Sequence, residues 1–333
     1  MSKAVRFHAI GDPEVLSIDD VEVPAPREGE VLIRTRALGL NRADVMFRTG
    51  NHFAEPTFPQ AFGLEAAGTV QAVGSDVTHV TVGDAVSVVP ATPLTEYPLH
   101  GDLVLAPARA VVKHASTLSW EAAASLWMAY VTAYGGLIDL GNLQKGDAVA
   151  ITAGSSSVGL AAIQIANMVG AKPIAITRSA DKRQRLLDAG AAGVIATETE
   201  DVTATLNELT GGTGVKLIFD PVAGPQVEQL LGATAPDATV LIYGALSSEP
   251  ITLPVLPLLK NRLTIRGYDM AAVTTDDGRL QKAVSFINDG VERGLLAPII
   301  DRTYTFEDAV QAYQYLESNV QFGKVVMTVP QST

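Results

Sequence analysis

Residues 147 to 183 read DAVAITAGSSSVGLAAIQIANMVGAKPIAITRSADKR, and the order of residue types in this stretch decides the fold. The apolar run Ala148 to Ala153 does not alternate with polar residues, as expected of a strand buried on both faces. A turn of small residues follows, Gly154, Ser155, Ser156, Ser157, Val158 and Gly159, and apolar positions then recur at helical spacing from Val158 to Val169. A second apolar strand, Pro173 to Thr177, completes a βαβ unit. The turn has the G-x-G-x-x-G spacing of a dinucleotide-binding loop, with Ser156 at the second glycine. Small side chains there let the backbone approach a pyrophosphate, and the helix start supplies unpaired N–H groups and a positive dipole end. Ser156 is small enough for that approach and brings a hydroxyl. A serine-rich turn that holds no ligand fits the same spacing, so the position of the turn in a βα series carries the reading.

That series continues. Helix Ala180 to Ala189, strand Gly193 to Ala196, helix Val202 to Leu209, strand Lys216 to Phe219, helix Pro225 to Ala233 and strand Thr239 to Tyr243 follow one another. Apolar strands separated by helices indicate a parallel sheet covered on both faces. Before it, from Lys3 to Lys113, short apolar runs are cut by Gly and Pro, a β-rich pattern with one short helix starting near Arg42 and stopping at Gly50. Ser119 is a plausible N-cap for two helical pieces in SWEAAASLWMAYVTAYGGLIDL. Beyond Thr264 come a long helix between Asp276 and Arg293, another at Phe306 to Glu317 and a closing strand at Gly323 to Val329. The expectation is an α/β protein in which a doubly wound parallel sheet of the Rossmann type follows a mostly β part.

The 333 residues suit two domains, and 47% apolar against 18% charged residues is the balance of a well-buried globular chain. A formal charge of −12 without any run of Lys or Arg argues against nucleic acid and anionic membranes as partners. The absence of cysteine removes disulfides, thiolate zinc sites and a Cys nucleophile. The start, MSKAVRFHAIGDPEVL, has no apolar core of a signal peptide, and no stretch approaches the roughly 18 to 20 apolar residues of a membrane span, so a cytoplasmic protein is expected.

Cofactor choice turns on the end of the second strand. NAD enzymes usually carry an acid there for the adenosine ribose, and that acid repels a 2′-phosphate. Here the strand ends Thr177, Arg178, Ser179, with Lys182 and Arg183 one turn on, which favours NADPH. Arg178 offers a two-donor grip on phosphate and Lys182 a point charge at a helix start. The alternative is a solvated helix face in which Asp181 balances its neighbours.

Seven segments together resemble one family, the zinc-independent quinone oxidoreductases (ζ-crystallin-like) of the medium-chain dehydrogenase/reductase superfamily. They are GLNRADVMFRTG (39 to 50), FGLEAAGTVQAVGSDV (62 to 77), WMAYVTAYG (127 to 135), TAGSSSVGLAAIQIA (152 to 166), IFDPVAG (218 to 224), IRGYDM (265 to 270) and FGKVVMTV (322 to 329). The resemblance implies a GroES-like catalytic domain from residues 1–122 and 265–333, a Rossmann NADPH-binding domain at 123–264, and a homodimer formed through edge strands of the cofactor domains. It also implies that Asn41 and Thr132 sit by the nicotinamide and its ribose, that Ser156, Ser157 and Val158 receive the pyrophosphate, and that Val222 packs near adenine. Tyr243, Gly244, Ala245 and Tyr268 would line the nicotinamide, and Gly323 and Lys324 would close the pocket. Each has a bland counterpart: Asn41 as a turn residue, Thr132 bound to a helix carbonyl, Tyr243 in the core.

Zinc-bearing relatives place Cys where this chain has Arg42 or Ala43, and His-Glu where it has Leu64-Glu65, so no metal is expected and Glu65 is expected to be structural. His8, His52, His79, His100 and His114 show no ligand spacing. The chain departs from the family at His52 and at Thr197, both positions where the family often has Tyr. Without a metal, the chemistry that fits is hydride transfer to a conjugated acceptor, most simply a quinone, with a 2-enoyl or alkenal double bond as the alternative. An NADPH-binding protein without turnover is the remote one. No internal acid stands out; Asn41, His52 and Tyr130 are catalytic candidates by location only, and helical packing explains Tyr130 and Tyr134 equally well.

Overall fold

The computed structural model describes residues 1–331, and the chain divides into two compact units, Met1–Met128 with Ala297–Thr333, and Ala129–Leu296. The first unit opens with strands β1 (Ser2–Phe7), β2 (Leu16–Val21), β3 (Glu30–Gly39), β4 (Gln60–Ala61), β5 (Ala66–Val73), β6 (Ala85–Val88), β7 (Leu103–Pro107) and β8 (Val111–Lys113), and with helices α1 (Arg42–Arg48) and α2 (Trp120–Ala123). Helix α3 (Trp127–Tyr134) leads into the second unit, which holds β9 (Ala148–Ile151), α4 (Ser157–Met168), β10 (Lys172–Thr177), α5 (Arg183–Asp188), β11 (Gly193–Ala196) and α6 (Val202–Leu209). It continues with β12 (Val215–Asp220), α7 (Gln226–Leu231), β13 (Thr234–Ile242), α8 (Val255–Asn261), β14 (Thr264–Gly267), α9 (Ala271–Thr274) and α10 (Asp277–Glu292). The chain then returns to the first unit with β15 (Ile300–Thr305), α11 (Ala309–Glu317) and β16 (Lys324–Thr328).

The second unit is the expected doubly wound sheet. Its six strands lie in the order β11-β10-β9-β12-β13-β14, and every pairing is parallel. Counted from its own first strand, that is the Rossmann order 3-2-1-4-5-6, with the chain reversing direction across the sheet between β9 and β12. Ala150, Ile174, Ile195, Ile218 and Val240, one from each of five neighbouring strands, are buried against Leu206, Val227 and Leu230 of α6 and α7. Continuous apolar strands are therefore the signature of a sheet with helices on its faces.

In the first unit a sheet ordered β15-β16-β3-β5-β6-β8, with β7 also paired to β3, stands beside a three-stranded sheet ordered β2-β1-β4. Strand β3 alternates buried and half-buried residues from Val31 to Ala37, a sheet with one face on the core. The β-rich reading of this part holds, as does the short helix at Arg42.

Two differences from the expected layout have physical causes. The second unit runs on to Leu296 rather than ending at 264, because α10 belongs to it. There Phe286 meets Tyr134 with ring centroids 5.1 Å apart, and Arg279 Nε donates to Asp139 at 3.0 Å. The segment expected as one helix from Ala180 starts as a 3-10 turn, Ala180–Lys182, before α5 begins at Arg183. No helix among the described residues is long and apolar enough to cross a membrane.

Candidate functional site

Strand β9 ends against a turn whose shape is dictated by packing. A Cβ on Gly154 would lie 2.9 Å from Ala175 Cβ, and one on Gly159 only 2.6 Å from Ala153 O and 2.7 Å from Gly154 O. Neither distance is tolerable, so glycine is obligatory at both positions, and the first brings the turn against β10 while the third seats α4 on it. Ser156 has φ −73°, which any residue adopts, so no glycine is needed at the second position. Its Oγ accepts from the Gly159 N–H at 3.0 Å, the N-cap of α4. The hydroxyl anticipated as a ligand donor is thus first a cap; as a donor its O–H is still usable. The amides of Ser157 and Val158 are first-turn amides, which a helix cannot satisfy internally.

At the end of β10, Thr177 is buried and Arg178 exposed. Lys182 Nζ donates to Ser155 Oγ at 3.2 Å, which brings this ammonium onto the glycine turn. Arg183 faces the other way: it donates to Val194 O at 2.6 Å and pairs with Glu200. The Glu200 carboxylate also accepts the Ala196 N–H, and that backbone bond and then Arg183 hold its pKa below the usual range. The basic run therefore splits into a turn-facing Lys182 and a structural Arg183. Sequence reasoning missed Glu198, whose N–H donates to Arg178 O at 3.0 Å and places an acid beside the end of the second strand.

The next βα turn is organised by Asp220, fully buried at the end of β12. It accepts from Val222 N–H at 3.0 Å, Ala223 N–H at 2.9 Å, Gln226 Nε2 at 3.2 Å and the Thr152 hydroxyl. One carboxylate thus ties the ends of β9 and β12 together, and only the motif IFDPVAG hinted at it. Val222 sits half-buried above this knot. Tyr243 stacks on Phe219 with centroids 4.0 Å apart, and its secluded hydroxyl meets no partner; burial first, and Asp220 second, push its pKa well up. A Cβ on Gly244 would lie 2.8 Å from Pro221 O, and Ala245 is exposed.

Tyr268 is turned into the second unit: it is 6% exposed and its hydroxyl donates to Val131 O at 3.4 Å, in the space left by Gly135. Thr132 is buried on α3. Tyr130, a candidate acid, is 2% exposed and donates to Gln164 Oε1 at 2.6 Å, which pins α3 to α4.

In the first unit, Asn41 precedes α1 and is held from three sides. Its Oδ1 accepts from Lys324 Nζ at 2.7 Å, its Nδ2 donates to Gly39 O at 3.1 Å, and its N–H donates to Asp44 Oδ2 at 2.8 Å. Lys324, expected to help close the pocket, is 2% exposed, with its ammonium 2.5 Å from Glu65 Oε2. Burial makes that pairing compulsory, since either charge alone would be costly there. Glu65 is structural, its other oxygen accepting from the Met128 N–H at 3.1 Å. Gly323 has φ +108°, and a Cβ there would lie 2.2 Å from Ile299 O. His52 lies in an irregular loop, its Nδ1 accepting from Ala54 N–H at 3.0 Å and its ring edge-on to Phe47. Leu64 offers no ligand, and among the described residues no three His, Cys, Asp or Glu are grouped to hold a metal ion.

Family models match both units. Residues 27–106 match the alcohol dehydrogenase GroES-like domain, and residues 157–289 the domain described as zinc-binding dehydrogenase, although the matched segment contains neither Cys nor His. A quinone oxidoreductase of Salmonella typhimurium is 30% identical over 337 residues, covering 98% of this chain and 99% of that protein. The crystal structure of Escherichia coli quinone oxidoreductase complexed with NADPH superposes with a TM-score of 0.88 at 27% identity, covering 98% of this chain and 99% of that one. A structure described as an NAD-dependent alcohol dehydrogenase reaches the same TM-score, 0.88, at 30% identity, with 98% and 100% covered. With a relative that similar along its whole length, and both domain types in the right order, the chain belongs to the quinone oxidoreductase family of the medium-chain dehydrogenase/reductase superfamily.

Proposed function

We propose that this oxidoreductase uses NADPH to reduce a conjugated acceptor, a quinone in the first instance, without a metal. The observation that carries the reading is the turn Gly154–Gly159 with Lys182 laid on it: two positions have no room for a Cβ, first-turn amides stand at its rim, and the strand itself ends in Arg178, the acid beside it, Glu198, coming from the neighbouring strand's loop. Backbone amides and a helix dipole suit the pyrophosphate, and a guanidinium with an ammonium nearby suits the 2′-phosphate. The cofactor, when bound, supplies a hydride from its nicotinamide. This chain's residues then have to align and enclose the reactants. Conjugation spreads the incoming charge over the acceptor, so no Lewis acid is needed.

No side chain is assigned as the proton donor. Tyr130 is committed to Gln164 and Tyr268 to Val131, and the reading takes the proton from solvent. The reading includes a cytoplasmic homodimer joined through the second unit. There β14 is an exposed sheet edge, and Val255, Leu256 and Leu259 of α8 are 62%, 79% and 67% exposed.

The test is one kinetic panel: NADPH and NADH, each with a quinone, an enal, an enone and an enoyl thioester. NADPH with the quinone should give the highest kcat/KM. Preference for the enal or thioester moves the chain to double-bond reduction, NADH preference removes the phosphate-binding role of Arg178, and tight NADPH binding with no turnover leaves a binding protein.

A further inference from the structure

A buried polar chain in the first unit is not used by this reading. Asp44, Tyr313 and His100 are 0%, 0% and 1% exposed. Asp44 Oδ2 accepts the Asn41 N–H and lies 3.2 Å from Tyr313 Oη, while Asp44 Oδ1 meets no partner. Tyr313 Oη lies 3.2 Å from His100 Nδ1, and His100 Nε2 lies 3.4 Å from Gly39 O.

The protons along this chain can be counted. A carbonyl oxygen only accepts, so the contact with Gly39 O assigns the His100 hydrogen to Nε2 and leaves Nδ1 as the acceptor; the opposite tautomer would leave Nε2 bare against that carbonyl and let Tyr313 donate to an Asp44 carboxylate. A second ring proton is opposed by burial, which lowers the His100 pKa to about 4. The single hydroxyl hydrogen of Tyr313 therefore goes to Nδ1, and Tyr313 turns only lone pairs toward Asp44. A carboxylate there would set lone pair against lone pair and leave a charged oxygen bare in the interior. A carboxylic acid donates to Tyr313, accepts from Asn41 and leaves only a neutral carbonyl oxygen unpaired.

We propose that Asp44 stands as a carboxylic acid in the folded protein, the head of a relay through Tyr313 to His100, and is thereby a positioning residue for Asn41. The cations nearby already have partners, although Arg48 Nη1, like Asp44 Oδ1, meets none. Lys324 of β16 is held by Glu65 and Asn41, Arg48 of α1 by Glu317 of α11, and Arg42 of α1 by Leu316 O and Asn319. Arg48 lies over the Tyr313 ring at 5.7 Å, and Glu65, ahead of β5, repels a second negative charge. Burial, the largest influence, raises the Asp44 pKa from 3.8 to about 7. Above that pH the ionised group recruits the Tyr313 hydroxyl and competes with Glu65 for Lys324, which loosens the clamp on Asn41 Oδ1.

The experiment compares the full-length protein with Asp44→Asn, a side chain of the same shape that never ionises and can meet only one of the two partners of Oδ2 at a time. Infrared spectra at pH 6 should show a carboxylic-acid C=O stretch that is absent from D44N and lost from the parent by pH 9. The unfolded carboxyl ionises near 3.8 while the folded one keeps its proton to about 7. The parent's melting temperature relative to D44N should therefore fall between those pH values and level off above them. NADPH affinity of the parent should weaken roughly 2- to 10-fold from pH 6 to pH 9, the scale of one neutral hydrogen bond, and that of D44N should not. No acid band at pH 6, or melting curves that run parallel, would overturn the proposal. If D44N does not fold, the band in the parent alone decides. The link to Asn41 rests on the NADPH reading, but the spectra and melting need no cofactor, so the two can fail separately.

Discussion

On the proposed reading, cofactor choice depends on Arg178 and Lys182. Arg178 is exposed at the end of β10, and Lys182 is docked on Ser155; the proposal gives the guanidinium the larger part in selectivity and the ammonium a part in the shape of the turn. Replacing Arg178 by Ala should weaken NADPH binding by roughly 1.5–3 kcal/mol, the range for hydrogen bonds to charged groups, and leave NADH nearly unaffected. Fluorescence titration with both nucleotides checks this, and an unchanged preference would remove Arg178 from the site. The identities of these basic residues were legible in the sequence; their division of labour was not. Arg183 and Lys182 are neighbours in the chain, yet one reaches Val194 O and the other Ser155. Lys324 shows the same limit: a lysine after glycine near the end of the chain reads as a ligand contact, and only the fold supplies the buried Glu65 that claims it.

Helix α4 depends on Ser156 for its first turn. Ser156→Ala removes the acceptor for the Gly159 N–H and should cost about 0.5–2 kcal/mol of stability, while Ser156→Gly, which restores the usual glycine, should cost only a few tenths. Urea denaturation of both variants gives the comparison; equal losses would show that the cap bond contributes little. Elements with strong periodicity were readable, β11 and α6 to the residue. Strand β14 and helix α8 were not, because their signal is not local. β14 contributes Thr264, Ile265, Arg266 and Gly267, of which only Ile265 packs on the core, and α8 carries Pro257 and a row of exposed Leu. Such segments are shaped by the neighbour they pair with.

At the scale of the molecule, the exposed row on α8 predicts association. A Leu256→Glu change alters two copies of the contact in a twofold dimer, each Leu being worth about 1.5–3 kcal/mol, so the dissociation constant should rise roughly 100-fold or more. Sedimentation velocity over a concentration series reads this directly; a parent protein that stays monomeric would sink the dimer. The acidic balance and two-domain size were plain from composition, but the point where the chain leaves the second unit was not, since α10 differs from a first-unit helix only in what it touches. That route has a consequence for biosynthesis. Val326, Met327 and Thr328 of β16 pair with Gly39, Leu38 and Ala37 of β3. A nascent chain therefore has the Ala37–Gly39 stretch of β3 unmet by this partner until β16 is made, while every strand of the inserted sheet has already emerged. The inserted unit can fold before the enclosing one, which must wait, with part of β3 in need of shelter, until β16 has followed it.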